Sequence, residues 1–332
     1  MSYHQLKSPI GLCFLGCGNI TQKHVKHAKK CPEKIQISFA SRTQEKASAY
    51  QKKYNGAHAY SSYDAAIESA TEQVIMINTP PNAHFDLTKK ALDAGKHVIV
   101  EKPPFFKASD FDILGNLAEE KGLQLMVAEN YYYKPLRSTL ENLLKEQVIG
   151  DPLFMIINAT KTQASKNDWR DDPKLTGFGA LFEGGIHWIN FINNLGLTIT
   201  NINGFLPKQK EYLEKSMQVV AKTKEGVVIN LLYSWEVDTI AKGLRLSRIF
   251  GRKGSITFET NGVFVWVRGK KKRLKFPSLP NITGSQSMFN DFMNALKHGT
   301  APAFNWRMAQ SDLALVEAVY KDVKIENQKI LN

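Results

Sequence analysis

Long hydrophobic runs are missing from this chain of 332 residues. None approaches the roughly 18 consecutive apolar residues that a membrane-spanning helix requires. The first residues, Met1–His4, also lack the basic segment and the apolar core of a secretory signal. The sequence therefore predicts a cytoplasmic protein that does not associate with a membrane.

Cysteine is scarce as well. The three residues Cys13, Cys17 and Cys31 are odd in number and follow no regular spacing, which argues against a disulfide framework. No group of cysteines and histidines has the spacing of a zinc site. We therefore expect no structural disulfides and no metal ion.

Acidic residues are fewer than basic ones, 31 against 44, so that the formal net charge is +13. Such a surplus favours a nucleic acid, an anionic membrane surface or a small anionic ligand as a partner. The one dense basic run, Lys270–Arg273, lies between the β-type segments Val263–Val267 and Leu274–Phe276 and is typical of a solvated hairpin tip. No recognition helix or RNA-binding motif accompanies it. We predict no nucleic-acid partner, and a phosphorylated or nucleotide-linked small substrate stays open.

A glycine turn near the start of the chain indicates a dinucleotide. Gly16 and Gly18 follow the apolar run Ile10–Leu15 and precede a polar helical stretch that begins with Asn19 and Ile20. The first glycine allows the turn, and the second lets the backbone approach a pyrophosphate at the helix N-terminus. The third glycine of the usual motif is replaced by a threonine. The motif is incomplete, and we predict these four residues as cofactor ligands.

Strand-like and helix-like segments alternate from residue 10 to about residue 127, which predicts an α/β domain, residues 1–129, with a parallel sheet covered on both faces. Ligands bind at the carboxyl ends of such strands. The expected strands are Ile10–Leu15, Ile35–Ala40, Val74–Asn78, His97–Glu101 and Leu123–Ala128.

Longer β-type runs dominate after Gly150–Pro152 and predict a second, α+β domain, residues 130–332, with a largely antiparallel sheet. The expected strands are Leu153–Thr160, Met217–Thr223, Gly226–Tyr233, Leu244–Gly251, Ser255–Thr260 and Gly262–Val267. The expected helices are Asn130–Glu146, Leu181–Leu195, Gln286–Lys297 and one from Trp306 to about Lys324.

The end of the second strand lacks the acidic residue that binds the ribose 2′-hydroxyl of NAD. Ser41 and Arg42 stand there instead. A hydroxyl can donate to a 2′-phosphate, and a guanidinium can pair with that phosphate and stack on adenine. A surface arginine at a helix start is the alternative. We predict that NADP(H) is favoured over NAD(H).

The end of the third strand carries a further polar segment. Thr79 and Pro80 are expected along the ribose and nicotinamide of the cofactor. Asn82 and His84 either contact the cofactor or cap the turn and the helix that follow. All four are predicted as cofactor-site residues.

Glu101 and Lys102 end the fourth strand and precede two prolines. A lysine held there is neither a core residue nor a free surface charge. Its ammonium can bond a substrate hydroxyl and stabilise negative charge on that oxygen as hydride leaves. We predict both residues in the cofactor site and Lys102 as a catalytic residue.

In the second domain, Glu183 and His187 are four residues apart and are predicted to share one face of a helix. Histidine carries protons near neutral pH, and a carboxylate one turn away orients it or stabilises its charged form. One alternative is a helix-face histidine satisfied by local hydrogen bonds. Another is a metal site, for which no third ligand is apparent.

Aromatic residues near these two indicate a substrate contact. Trp169 and Arg170 follow Asp168 on a predicted loop, where a ring beside a guanidinium suits a sugar or an anionic substituent, or else anchors the loop. Of the three rings of Tyr131–Tyr133, one is expected at the substrate, for which we take Tyr133, and the others in packing.

Together these segments resemble the Gfo/Idh/MocA oxidoreductases, the superfamily of glucose–fructose oxidoreductase and inositol dehydrogenase. The resemblance covers nearly the whole chain and implies a Rossmann domain followed by an α+β domain whose open sheet often forms the oligomer interface, hence a homodimer or homotetramer. It also implies Lys102 as the lysine near the nicotinamide and His187 as the catalytic acid/base. The segments that carry it are Gly16–Ile20, Asn78–His84, Glu101–Pro103, Gly177–His187, Phe289–Leu296 and Ala314–Tyr320.

Two positions depart from the family pattern. Glu183 stands where the family often has aspartate, and it can keep the carboxylate role with a longer reach. Asn190 stands at another frequent aspartate position and supplies no charge, which leaves its part in substrate binding open.

We therefore predict an NADP(H)-preferring oxidoreductase that acts on a sugar, polyol or similar hydroxyl or carbonyl compound. Lys102, His187 and Glu183 are the predicted catalytic residues, and Lys102, Tyr133, Trp169, Arg170 and His187 are the predicted substrate contacts. An NAD-dependent nucleotide-sugar or inositol dehydrogenase is the rival within the family. A non-catalytic cofactor-binding sensor is the rival from another class, which the presence of both Lys102 and His187 disfavours.

Overall fold

The computed structural model describes residues 3–164, 169–207, 213–239 and 243–323. The chain divides into two compact units. The first contains the residues up to Glu129 together with Ser285–Ser311, and the second contains Asn130–Gly284 together with the residues from Asp312 onward. Residues 285–311 therefore belong to the first unit, although they follow the sheet of the second unit in the sequence.

A parallel six-stranded Rossmann sheet forms the first unit, which confirms the predicted α/β architecture. Its strands are β1 (Ile10–Leu15), β2 (Ile35–Ala40), β3 (Ala59–Tyr60), β4 (Val74–Ile77), β5 (His97–Val100) and β6 (Leu125–Val127), in the order β3-β2-β1-β4-β5-β6. The central strands β1, β4 and β5 are buried along their whole length and, apart from His97 at the start of β5, contain no polar side chain, as a parallel sheet between helices requires. The first helices of the chain are α1 (Asn19–Ala28), α2 (Gln44–Tyr54), α3 (Tyr63–Glu68), α4 (His84–Asp93) and α5 (Asp110–Glu120).

A mostly antiparallel eight-stranded sheet forms the second unit, again as predicted. Its strands are β7 (Pro152–Thr160), β8 (Ile199–Phe205), β9 (Ser216–Thr223), β10 (Val228–Ser234), β11 (Leu246–Gly251), β12 (Gly254–Glu259), β13 (Val265–Arg268) and β14 (Lys272–Lys275). Their order is β14-β13-β12-β11-β7-β10-β9-β8, and only β7 and β10 pair in parallel. The other helices are α6 (Pro135–Lys145), α7 (Pro173–Thr176), α8 (Ile186–Asn193), α9 (Ser285–His298) and α10 (Trp306–Asp322).

Two predicted helices differ from the structure. Helix α6 begins at Pro135 instead of Asn130, because a residue before proline is disfavoured in the α conformation and Lys134 is extended, with a ψ of 132°. The predicted helix 181–195 consists of a π-helical turn, Leu181–Gly185, followed by α8.

Strands β3 and β8 were not predicted, and one prediction about the basic run is confirmed. Strand β3 has only two residues, and β8 alternates too weakly between apolar and polar residues to be recognised. Strand β14 begins at Lys272, two residues before the expected segment Leu274–Phe276. The basic run does form a hairpin, since Arg268 on β13 pairs with Lys272 on β14. Within the described ranges, no helix has both the length and the apolar composition to cross a membrane.

Candidate active site

Gly16 forms the turn between β1 and α1. Its φ of +102° favours glycine, and a Cβ there would lie 2.9 Å from the carbonyl oxygen of Asn78. Thr21, which replaces the third glycine, donates its hydroxyl to the Gly16 carbonyl at 2.6 Å and accepts the Asn78 side-chain N–H at 3.0 Å. The threonine therefore ties the glycine turn to the end of β4.

The start of α1 fits a pyrophosphate. Gly18 is the N-cap residue. Within the residues that the structure describes, no side-chain hydrogen bond caps the helix, and a Cβ on Gly18 would meet no atom within 4 Å. The first N–H groups of α1 are thus left for a ligand at the positive end of the helix dipole. Asn19 is exposed and Ile20 is half-buried at the same helix start.

Two cations lie close to the end of β2. Ser41 is buried and Arg42 is exposed. Burial raises the pKa of Tyr63, and the charge of Arg42 opposes this rise. Burial also raises the pKa of Cys17, in the glycine turn, to about 11, and here the charge of Lys46 opposes the rise. Sequence reasoning missed Lys46, although it lies one helical turn after Arg42.

His84 ties the loops after β4 and β5 together. Its Nε2 lies 2.8 Å from the carbonyl oxygen of Thr79, and its Nδ1 lies 3.0 and 3.1 Å from the carbonyl oxygens of Pro103 and Pro104. The side chain is 1% exposed, and burial lowers its pKa against the raising effect of these carbonyl groups. His84 is therefore placed to position both loops.

Thr79 presents a buried hydroxyl that has no hydrogen-bond partner among the described residues. An unsatisfied buried hydroxyl is costly, so this atom fits a polar ligand group at the sheet edge. Pro80, half-buried, follows it and caps the short 3₁₀ turn Pro81–Ala83. Asn82 lies exposed inside that turn and caps neither it nor α4, so the predicted capping role of Asn82 is wrong.

Glu101 follows β5, and each of its two carboxylate oxygens has a partner within the protein. One oxygen pairs with His24 Nε2 of α1, and the other accepts the backbone N–H of Lys102 at 3.0 Å. Glu101 is buried, whereas the side chain of Lys102 is half-buried. The buried carboxylate therefore fixes the backbone from which the Lys102 side chain extends.

In the second unit, His187 lies where the π-helical turn passes into α8. Such locally widened helices are frequent at functional sites. Gly184 is required in this turn, because a Cβ would overlap the hydroxyl of the buried Tyr233. The close approach of Tyr233 therefore explains one of the two glycines that precede Ile186 and His187.

An aromatic ring covers one face of the His187 imidazole. The ring is that of Tyr131, with centroids 4.4 Å apart and planes 11° apart. Tyr133, the residue assigned to the substrate from the sequence, packs edge-on against Tyr132. Nothing in a run of three consecutive tyrosines signals which ring meets the histidine.

Glu183 is paired with a guanidinium. Arg170 Nε lies 3.2 Å from a Glu183 carboxylate oxygen, and the guanidinium lies 4.4 Å above the ring of Trp169. The structure thus brings together three residues that the sequence placed on a loop and a helix. Asp168 lies outside the described residues.

Glu214 anchors the π-helical turn that carries Glu183. Its Oε1 accepts the Leu181 N–H at 2.9 Å and the Tyr320 hydroxyl at 2.6 Å. Burial raises the pKa of this carboxyl to about 7, against the hydrogen bonds that stabilise its charged form. Sequence reasoning missed Glu214, because its partners are distant along the chain.

A pocket of about 180 Å³ lies beside the Glu183–Arg170 pair. Among its lining residues are Gln163, Arg170, Asp171, Phe178, Glu183, Glu214, Lys215 and Trp235. Among the described residues, no group of three or more histidine, cysteine, aspartate or glutamate side chains could hold a metal ion.

Asn190 is fully buried and binds α10. Its side-chain N–H donates to Asp312 at 2.7 Å, and that of Asn193 donates to the other carboxylate oxygen at 2.8 Å. An aspartate at position 190 would place a second carboxylate against Asp312. The amide therefore has a structural role here, as the donor that a buried carboxylate requires.

We expect Asn190→Asp to lower the free energy of unfolding by about 2–4 kcal/mol at neutral pH, because a buried donor becomes a second buried carboxylate. The loss should shrink at acidic pH, where a shared proton restores a donor between the two groups. Chemical denaturation measures both effects. Asn201→Asp, an exposed change of the same charge on β8, is the control. Equal losses in the two variants would contradict this account.

Comparison with known proteins gives two family matches. Residues 10–129 match a family described as an oxidoreductase family with an NAD-binding Rossmann fold. Residues 138–257 match the GFO/IDH/MocA C-terminal domain. The first match ends at residue 129, and the second begins at residue 138.

Two curated relatives and one solved structure are similar to the chain. A dTDP-3,4-didehydro-2,6-dideoxy-alpha-D-glucose 3-reductase from Streptomyces violaceoruber is 34% identical over 175 residues, 52% of this chain and 50% of the reductase. A D-xylose 1-dehydrogenase (NADP(+)) 2 from Haloferax volcanii is 28% identical over 177 residues, 53% and 54% of the two chains. The chain thus spans about half the length of each. The structure of an oxidoreductase from Thermotoga maritima superposes with a TM-score of 0.83 and 25% identity, over 96% of this chain and 98% of that one.

Proposed function

Because this chain belongs to the Gfo/Idh/MocA oxidoreductase family, with its NAD-binding Rossmann fold, we propose that it transfers hydride between NADP(H) and a neutral sugar or polyol. One edge of the first unit's sheet supports the proposal. The neighbouring strands β1, β4 and β5 end there at the Gly16 turn, at Lys102 and at the Thr79 hydroxyl, which has no hydrogen-bond partner in the described part of the chain. A dinucleotide needs a phosphate cradle and polar contacts along such an edge.

The proposed chemistry divides between the cofactor and two side chains. A bound nicotinamide supplies or accepts the hydride. Lys102 donates a charge-assisted hydrogen bond to the substrate oxygen and stabilises the negative charge that develops on it. His187 takes the hydroxyl proton in oxidation and returns it in reduction. Glu183 holds the Arg170 guanidinium at the substrate pocket, and Trp169 packs against that guanidinium.

The charges around the pocket favour a neutral substrate. Two basic side chains line the pocket, those of Arg170 and Lys215. Three carboxyl groups line it as well, those of Asp171, Glu183 and Glu214. The pocket therefore has no excess of basic groups that would select an anion. Phe178 and Trp235 add ring surfaces, which suit the C–H face of a sugar. The relative from Haloferax volcanii, a D-xylose 1-dehydrogenase, agrees with this class.

A nucleotide-linked sugar is the second candidate, favoured by the similarity to the dTDP-sugar reductase and by the net charge of +13. Turnover of free pentoses, hexoses, polyols and dTDP-linked sugars, followed by the absorbance of the reduced nicotinamide, separates the two. We expect higher kcat/KM on the free sugars or polyols. A higher kcat/KM on the dTDP-linked compounds would establish the second candidate instead.

The cofactor preference is testable at Arg42. We expect NADP(H) to bind more tightly than NAD(H), and Arg42→Ala to remove most of that difference. A charge-assisted contact to the 2′-phosphate is worth about 1.5–3 kcal/mol, or one to two decades in affinity. Fluorescence titration with both cofactors measures it, with Lys52→Ala at the far end of α2 as the control. Tighter NAD(H) binding by the unchanged protein would refute the preference.

We also propose that the protein forms a homodimer or homotetramer through the outer face of the second unit's sheet. Phe154 and Ile156 on β7 alternate with buried residues and are exposed, and Leu232, Leu246 and Trp266 are exposed on other strands of the sheet. Exposed apolar surface of this kind is typical of an interface. A second copy of the chain presents the same apolar face and is the occupant we propose.

Light scattering after size-exclusion chromatography tests this assembly. We expect the mass of two or four chains for the unchanged protein, and a smaller species for the double variant Phe154→Glu with Ile156→Glu. Ile113→Glu is the matched control, because Ile113 is equally exposed but lies on α5 in the first unit. A monomer at micromolar concentration would disprove the proposal.

A further inference from the structure

The ring of Tyr131 stacks on the imidazole of His187, and the proposed proton transfer assigns no role to this contact. The two rings are nearly parallel, at 11°, and their centroids are 4.4 Å apart. Trp188, the next residue on α8, meets the Tyr131 ring edge-on, with centroids 5.1 Å apart. The tyrosine ring thus contacts two consecutive residues at the start of α8.

The backbone around Tyr131 holds its ring in place. The Lys134 N–H donates to the Tyr131 carbonyl at 3.2 Å, and the Asn130 side-chain N–H donates to the Thr283 carbonyl at 2.6 Å. Gly284 packs so closely on this turn that a Cβ would overlap the backbone of Asn130. These contacts hold the backbone on both sides of Tyr131 and so limit the positions that its ring can take.

The ammonium of Lys134 adds a second contact to the same ring. Its Nζ lies 4.5 Å from the Tyr131 centroid, and the side chain is 5% exposed. A cation over an aromatic face is attracted by the ring quadrupole, most strongly where water is excluded. The Tyr131 ring is thus restrained by an indole, an ammonium and an imidazole together.

An imidazole exchanges protons through nitrogens that lie in the plane of its ring, so rotation about χ2 changes where those nitrogens point. A parallel neighbour restricts this rotation, because a rotated imidazole would lose the stack or collide with it. We propose that Tyr131 is a positioning residue, which fixes the plane of the His187 imidazole for proton transfer. The proposal rests on the proposed catalytic role of His187.

The experiment compares Tyr131→Leu with Tyr131→Phe in the chain of 332 residues, assayed with NADP and the best substrate of the panel. We expect the leucine variant to lower kcat by about 10- to 100-fold, since small misplacements of a reacting group have effects of this size, with KM changed less. The phenylalanine variant keeps a parallel ring and should restore most of kcat. Tyr132→Leu removes a neighbouring ring of the same turn and is the control.

A double variant shows whether Tyr131 acts through His187. In a His187→Asn background, Tyr131→Leu should lower kcat no further, because the group that it positions is already gone. If the two substitutions lower kcat by independent factors that multiply in the double variant, the proposal is overturned. Equal losses in the phenylalanine and leucine variants would also overturn it, since they would assign the effect to the tyrosine hydroxyl.

A spectroscopic measurement separates this inference from the proposed function. The His187 Cε1–H resonance, identified by its loss in His187→Asn, should be shielded by the stacked ring, should keep that shift in Tyr131→Phe and should lose it in Tyr131→Leu. If His187→Asn keeps parental turnover, the proposed function is wrong. If His187→Asn is inactive while Tyr131→Leu keeps parental kcat, only the positioning role is wrong.

Discussion

Replacing His187 by asparagine is expected to lower the turnover number by about two to four decades. Asparagine has a similar shape but neither gains nor loses a proton near neutral pH, so the pH dependence of kcat should also flatten there. Steady-state kinetics across pH measure both effects. The fold should persist, because the side chain of His187 is only half-buried on α8. Its ring stacks on that of Tyr131 and is not part of the hydrophobic core.

Two controls show whether the loss is chemical. NADP should still raise the melting temperature of His187→Asn as it raises that of the parent, because the glycine turn of the first unit is untouched. His298→Asn, an exposed change at the end of α9, should leave kcat as it was. Parental turnover with the parental pH profile in His187→Asn would make His187 a structural helix residue and would refute the mechanism.

Lys102→Ala is expected to lower kcat by about two decades or more, with a smaller change in cofactor affinity. A positioned cation that stabilises charge on the reacting oxygen typically contributes this much. The backbone of Lys102 should stay in place, because its N–H is held by the buried Glu101 carboxylate. Turnover and NADP titration, measured on the same preparation, separate the two effects.

Lys107→Ala is the matched control for this variant, since Lys107 is an exposed lysine on the same loop. It should keep parental turnover and cofactor affinity. Unchanged turnover in Lys102→Ala would refute the proposed catalytic role of this lysine.

The architecture of both units follows from local sequence. Alternating apolar strands and amphipathic helices specify a parallel sheet, and the glycine turn after β1 specifies a helix start left free for phosphate. These signals depend on residues within one or two turns of each other, which is why β1, β2 and the basic hairpin lie where they were predicted. The ends of elements were less predictable, as the late start of α6 shows.

The sequence alone determined the fold class, the family and the strand ends at which Gly16, Thr79 and Lys102 lie. Only the tertiary structure decided which distant residues contact each other: His84 bridges two loops, Tyr131 stacks on His187, and Asn190 binds Asp312. The last pair is 122 residues apart in the chain. Such contacts arise when separate elements pack and bury polar groups that must then find partners, and no local periodicity records which distant residue each group will face.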